Sequence, residues 1–335
     1  MKGITIMLMA TILFALGCVS KKMVDQPTKV LPLSAEACPK VFHWIGVTVK
    51  GDVASEVFLD GKLGERIIGP GDGIHGLAVE PSSGQIAYSK MLLGRNVFCP
   101  FRLYVQDRHG KHGRILFASP ETIHSLNWSP SGKRLAFFVG DATNPGIWLP
   151  QQLFIVNVGA DTEPIIMYVG KTTIYTPGEF CRDMAAPQIV WSDDGQSLFW
   201  IDGNRQIIRA SIVSGERDRL GKADCLLSFY DNALIIARKD PWRLIRFPIN
   251  GQQEAVIITL DQLEAIGFGT MIPNSSILSM IVSERQPRKY MRNPWKPTLF
   301  VDLKSGKICG RVGEPIIGYY RPSVTSRPSS ALNAK

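Results

Sequence analysis

Cations and aromatic rings stand together in one stretch of this chain. Between Glu284 and Pro297, Arg285, Arg288, Lys289, Arg292 and Lys296 are interspersed with Tyr290 and Trp295. Positive charge beside ring faces suits an anionic, partly apolar ligand such as a lipid or glycan phosphate. The competing reading is a solvated loop kept soluble by its charges. Trp148 and the run Phe180-Cys181-Arg182-Asp183 combine aromatic and charged groups in the same way. The candidate binding face is therefore Trp148, Phe180, Arg182, Asp183, Arg285, Arg288, Lys289, Arg292 and Trp295.

Other chemistry is sparse. Arg108-His109-Gly110-Lys111-His112-Gly113-Arg114 holds two histidines three apart, but no third ligand stands near them, so it reads as a charged turn. Beyond Cys18 lie Cys38, Cys99, Cys181, Cys225 and Cys309, with no Cys-x-x-Cys among them. In an oxidising compartment these allow one or two disulfides, and an odd thiol buried as a small hydrophobe. No Gly-x-Ser-x-Gly elbow occurs. No metal, cofactor or catalytic residue is assigned.

What must position the candidate face is a repeat. Ile123 to Phe137 reads as an apolar strand ending in Trp128, a Pro130-Ser131-Gly132 turn, and a second apolar strand. Ile74 to Tyr88 matches it without a gap, and Ile189 to Trp200 is a third copy with Asp193 in place of the proline. Fainter copies follow at Phe229 and Met271. The anchors Val79, Trp128, Trp191, Phe229 and Met271 recur about every 48 residues, the length of one four-stranded propeller blade. A third strand with its own signature follows several copies, as in Leu103 to Asp107, Leu153 to Asn157 and Leu299 to Asp302. Such units expose an apolar face and must stack around an axis. Asp193, Asp194 and Asp231 fall in the repeat turns, where aspartate satisfies backbone amides.

The expected fold is all-β: a β-propeller of six four-stranded blades over residues 38–322. Tyr320 supplies a sixth anchor, and strands near Val41 to Val49 and Glu56 to Asp60 complete its blade by pairing of the N- and C-terminal segments. The 63-residue interval before Trp191 has room for an extra strand pair, so five or seven blades stay open. Cys38 and Cys309 flank the expected closure, and a disulfide between them is one of the pairings open. Blade topology sends Ser89 to Pro100, Gly140 to Gln151, Gly170 to Ala186 and Glu284 to Pro297 to one face. Long loops on one face of a rigid scaffold are where binding resides. Glu179, Asp183 and Glu284 are the carboxylates there suited to acid–base work.

Leu-x-Trp-Ser-Pro-x-Gly-x-x-Leu-Ala-Phe, read from Leu126 to Phe137, resembles the propeller repeat of TolB and of prolyl-oligopeptidase propeller domains. The resemblance covers about residues 70–310. It implies an architecture rather than a function. Only a short segment separates Cys18 from the first strands, so the α/β domain that precedes the TolB propeller is not expected, and TolB's partner binding does not carry over.

The N-terminus sets the address. Lys2 is followed by an almost continuously apolar run from Ile4 to Leu16, shorter than the roughly 20 residues that span a bilayer. Residues 1–18 read as a signal peptide. Its end, Ala15-Leu16-Gly17-Cys18, resembles the lipobox of bacterial lipoproteins, in which the cysteine is lipidated; ordinary signal-peptidase cleavage is the alternative. Two acyl chains at Cys18 would anchor the protein stably. Residues 19–37 read as a tether and 323–335, rich in Ser, Pro and Asn, as a disordered tail. The net charge of +9 favours anionic partners, and the export signal argues against cytoplasmic nucleic acid. The chain is expected to be a lipid-anchored binding or scaffolding propeller on the periplasmic side of a bacterial membrane. Its expected partner is an envelope protein or an anionic glycan or lipid. The alternative is a glycan-active hydrolase or lyase with carboxylates at the channel mouth.

Overall fold

The computed structural model describes residues 44–50, 53–58, 63–68, 74–92, 100–110, 113–140, 148–159, 166–175, 188–284 and 297–321. Cys18, the tether and the tail lie outside them. The described residues contain no helix, and their strands form six four-stranded antiparallel sheets. Strands β1 (Ile45–Lys50), β2 (Val53–Val57) and β3 (Leu63–Ile68) come first in the chain. Blade one follows: β4 (Ile74–Val79), β5 (Ile86–Met91), β6 (Phe101–Gln106) and β7 (Arg114–Ser119). Blade two is β8 (Ile123–Trp128), β9 (Arg134–Val139), β10 (Trp148–Asn157) and β11 (Ile166–Tyr175). Blade three is β12 (Val190–Trp191), β13 (Ser197–Ile201), β14 (Gln206–Ser211) and β15 (Arg217–Lys222). Blade four is β16 (Cys225–Tyr230), β17 (Ala233–Arg238), β18 (Arg243–Pro248) and β19 (Ala255–Thr259). Blade five is β20 (Leu263–Met271), β21 (Ile277–Glu284), β22 (Thr298–Asp302) and β23 (Lys307–Val312). The last strand, β24 (Gly318–Tyr320), returns to pair with β1, so blade six runs β24-β1-β2-β3. This is a six-bladed β-propeller closed by its two ends.

The repeat anchors explain the strand ends. Val79, Trp128, Trp191, Met271 and Tyr320 are the last residues of the first strand of their blades, and Phe229 is the last but one. In blade four the turn shrinks to Asp231-Asn232, both at positive φ (51° and 56°), a two-residue hairpin that Asp and Asn tolerate. Among the described residues the 63-residue interval holds no added strand pair; β10 and β11 are instead ten residues long each. Trp148, expected in a loop, begins β10 opposite Tyr175. Trp148 to Gln151 pair with β11 alone, so Pro150 lies at a sheet edge, where proline is tolerated.

Packing runs between blades. Ala78, Leu103 and Leu116 of blade one meet Leu126, Trp128 and Phe137 of blade two, and Phe138 and Leu153 of blade two meet Trp191 and Trp200 of blade three. Both anchor tryptophans are buried, at 5% and 4% exposure. Each also donates its indole N–H backward: Trp128 to the Ala78 carbonyl (3.3 Å) and Trp191 to the Asn127 carbonyl (3.1 Å). Ala78 and Asn127 each precede the anchor of the preceding blade, so one bond is repeated at two junctions. Tyr320 fills the same position in blade six, fully buried among Val47, Ala54, Val79 and Ile86. Cys309 of β23 packs near Trp44 and is disulfide-bonded, with its partner outside the described residues. Cys225 keeps its thiol, directed at the Ile266 carbonyl (3.4 Å).

Candidate functional site

First strands line the axis of a propeller, and here four of the six are bulged near their beginning. The ladder slips between Ile74 and Gly76, His124 and Asn127, Leu226 and Ser228, and Ile266 and Gly269. A bulge frees backbone groups from the ladder and re-aims side chains. Ser125 sits in one of these bulges at φ +57°, a left-handed conformation unusual for serine.

The freed groups are taken up by side-chain amides. Gln188, just before β12, donates from Nε2 to the Leu227 carbonyl of blade four (2.6 Å) and to the Gly269 carbonyl of blade five. Its Oε1 accepts the Gly269 N–H (3.2 Å). One side chain thus ties three blades at their inner edges. Buried carbonyls left without donors cost about 1–3 kcal/mol each, which is what Gln188 averts.

In blade two, His124 is buried and bonded at both ring nitrogens. Nε2 meets Gln151 Oε1 at 3.0 Å and Nδ1 meets Ser125 Oγ at 2.8 Å. An amide oxygen only accepts, so Nε2 carries the proton and Nδ1 accepts from the serine hydroxyl. Burial holds the His124 imidazole down to about 4, so it is neutral at physiological pH. Gly140 makes room for Gln151: a Cβ there would stand 2.1 Å from Oε1. His75, at the equivalent position of blade one, is exposed, lies edge-on to Phe101 (5.2 Å between centroids), and is also lowered by partial burial.

Carboxylates are occupied in turns. Burial would raise Glu80, but hydrogen bonds from Ser82 and Ser83 outweigh it and hold the carboxyl below its ordinary value. Asp194 is lowered by Ser192 and by the Gln196 N–H (2.9 Å). Asp302 caps its own turn from Ser276 and the Lys304 N–H. Asp231 pairs with Arg246 at 2.9 Å instead of capping a turn. Asp193 is raised, by burial first and then by Asp194 and Asp231. The six first strands contain one carboxylate, Glu264, and it is exposed. Among the described residues no cluster of His, Cys, Asp and Glu could hold a metal ion. In the basic hairpin, Arg108 lies over the Tyr320 ring (5.6 Å) and donates to His109 (3.0 Å).

Of the candidate face, only the backbone of Trp148 is described. Phe180, Arg182, Asp183, Arg285, Arg288, Lys289, Arg292 and Trp295 lie outside the described residues. The described segments on either side of them end at Tyr175, Gln188, Glu284 and Pro297, all at the end of the ring away from the first hairpins. Sequence reasoning did not find Gln188 or Gln151. A signal for the first existed: Gln188 stands three residues before Trp191, as Ser125 does before Trp128 and Gly76 before Val79.

No family model matches the chain, and no curated protein does. Among solved structures, TolB from Acinetobacter baumannii matches with a TM-score of 0.54 at 12% identity, over 83% of this chain. The likeness is one of fold. This chain spans 65% of the length of that TolB structure.

Proposed function

We propose that this chain is a binding or scaffolding propeller of the bacterial cell envelope, anchored through lipid at Cys18. The observation that carries the reading is the make-up of the first strands. Apart from His75 and His124, they are made of apolar and neutral polar residues, with Glu264 as their single carboxylate. Acid–base hydrolysis of a glycan uses a pair of carboxyl groups about 5–10 Å apart. The described channel supplies none, which favours binding over the hydrolase or lyase reading. The likeness to TolB supports an envelope setting by analogy of fold.

Binding is assigned to the long-loop end, through Trp148, Phe180, Arg182, Asp183, Arg285, Arg288, Lys289, Arg292 and Trp295, and the ligand is anionic: an envelope protein with an acidic surface, or a glycan or lipid phosphate. The test is affinity capture from solubilised envelope with the native chain and with Arg288→Glu/Arg292→Glu. Loss of captured species in the variant is expected. An identical set from both chains would overturn the assignment. The anchor is tested by fractionation: Cys18→Ser should lose membrane association through acyl chains, seen as loss of lipid label from the protein.

A further inference from the structure

Large apolar side chains left in solvent are unremarkable when scattered. Here they are not scattered. Among the described residues, Phe58, Leu63, Ile115, Ile166, Met167 and Tyr168 are exposed on blades six, one and two. Val213 and Val256 are exposed on blades three and four. Every one lies in the turn between the third and fourth strands of its blade, or within the first three residues after that turn. They therefore share one end of the ring, the end opposite the long loops. On β11 the exposure is continuous: Ile166 is 42%, Met167 46% and Tyr168 50% accessible.

The chain enters and leaves at this same end. Across blade six, Tyr320 pairs with Ile45, Gly46 with Val57, and Val57 with Leu63. The first and last described strands thus meet in the row that holds Leu63, next to Phe58. Residues 1–43, with the apolar run Ile4 to Leu16 and Cys18, join the propeller here. Among the described residues, charge divides this end in two. Blades three and four carry Asp193, Asp194, Glu216 and Asp231, the last paired with Arg246, whereas blades one and two carry Arg108, Arg114 and Lys133 against Asp107. Arg108 also reaches the ring of Tyr320 in blade six.

We infer that the hairpin end of blades six, one and two is a contact surface for the anionic bilayer into which the N-terminus is anchored, with Met167 and Tyr168 at its apolar centre. This rests on the lipid-anchor reading and adds an orientation to it: the long-loop end faces away from the lipid. Exposed apolar side chains ringed by cations bind a bilayer through shallow burial plus attraction to its anionic headgroups.

The test uses the full lipidated chain in vesicles of phosphatidylethanolamine and phosphatidylglycerol. A photoreactive benzoylphenylalanine replaces Ile115 or Met167, or, at the opposite end, Asn204 or Lys239. Several-fold more lipid adduct is expected at 115 and 167 than at 204 and 239. Ile166→Glu/Tyr168→Glu should reduce the adduct at 115 while the protein still floats with the vesicles. Equal adducts at both ends would overturn the orientation and leave the anchor standing. A chain that does not float would overturn both. Protein–protein adducts at 167 in place of lipid adducts would also overturn it, assigning the patch to a second copy of this chain.

Discussion

The junctions joining blades one, two and three differ from the junction that closes the ring, although the same repeat position builds both. Trp128 and Trp191 reach back and donate to the preceding blade. Tyr320 turns its hydroxyl to Glu56 of its own blade, while its ring packs over Gly84 of blade one. The difference follows from covalent continuity. An internal blade is one stretch of chain, so its anchor is free to bind a neighbour. Blade six is assembled from two stretches held by three residue pairs, Ile45 with Tyr320, Gly46 with Tyr319 and Val47 with Gly318. Its anchor has to fasten its own sheet first.

The strongest way to break the comparison is to remove the closing strand. Deleting residues 314–335 takes away β24 and exposes the edge of β1 that it pairs with. Loss of the cooperative thermal transition is expected. Deleting 326–335 should leave the melting temperature unchanged. If the longer deletion melts like the native chain, the ring does not depend on closure.

Next in size are the internal anchors. Trp128→Ala and Trp191→Ala should each cost about 3–5 kcal/mol in denaturant unfolding, because each removes a buried ring and leaves a cavity between blades. Phe229→Ala, at the blade-four position where no N–H reaches back, tests how much of that cost is packing alone. Equal losses at all three positions would reduce the indole bonds to a detail.

A third effect is set by pH. His124 is held neutral by burial, with its folded value near 4 against about 6.5 unfolded. The unfolded chain therefore binds the extra proton between these values, and stability falls as pH drops from 6.5 toward 4, by up to about 3 kcal/mol. Below 4 this contribution is fully lost. Glu56 at the closure has the opposite sign: burial raises its carboxyl, so it costs stability as pH rises through its folded value. His124→Gln should flatten the acid limb of the stability profile. A profile unchanged by that substitution would mean that His124 is not the group titrating.

Much of this organisation was legible before the fold was seen, and for a physical reason. Trp128, Pro130 and Gly132 sit at fixed places in a strand-turn-strand unit, so the repeat declares itself locally. Tyr320 could then be placed by adding one repeat to Met271. What alternation does not spell is a bulge. His124 and Gln151 are 27 residues apart, and Gln188 reaches partners 39 and 81 residues away, through slips that shift register within otherwise regular strands. The exposed end was equally hidden. Ile166-Met167-Tyr168 is an apolar run with nothing in it to mark exposure, and it is the first three residues of an outer strand that lie in solvent.

The smallest expected effect separates the two junctions most cleanly. Trp128→Phe and Trp191→Phe keep an aromatic ring and delete one neutral donor, which should cost about 1 kcal/mol beyond the small loss of ring volume. No ionisable group accepts those bonds, so the cost should be the same at pH 4 and pH 8. Tyr320→Phe also deletes one donor, but its acceptor is a carboxylate. A bond to an ionised acceptor is worth roughly twice a neutral one. Its loss should be felt most at pH 8, where Glu56 is charged, and should shrink in acid as the carboxyl protonates. The backbone N–H of Glu65 also donates to Glu56 (3.3 Å), which softens the loss without removing its pH dependence. Unfolding curves of the three variants at the two pH values decide it. A pH-independent cost for Tyr320→Phe would show that its hydroxyl does not serve the closure through Glu56, and that the ring alone holds blade six together.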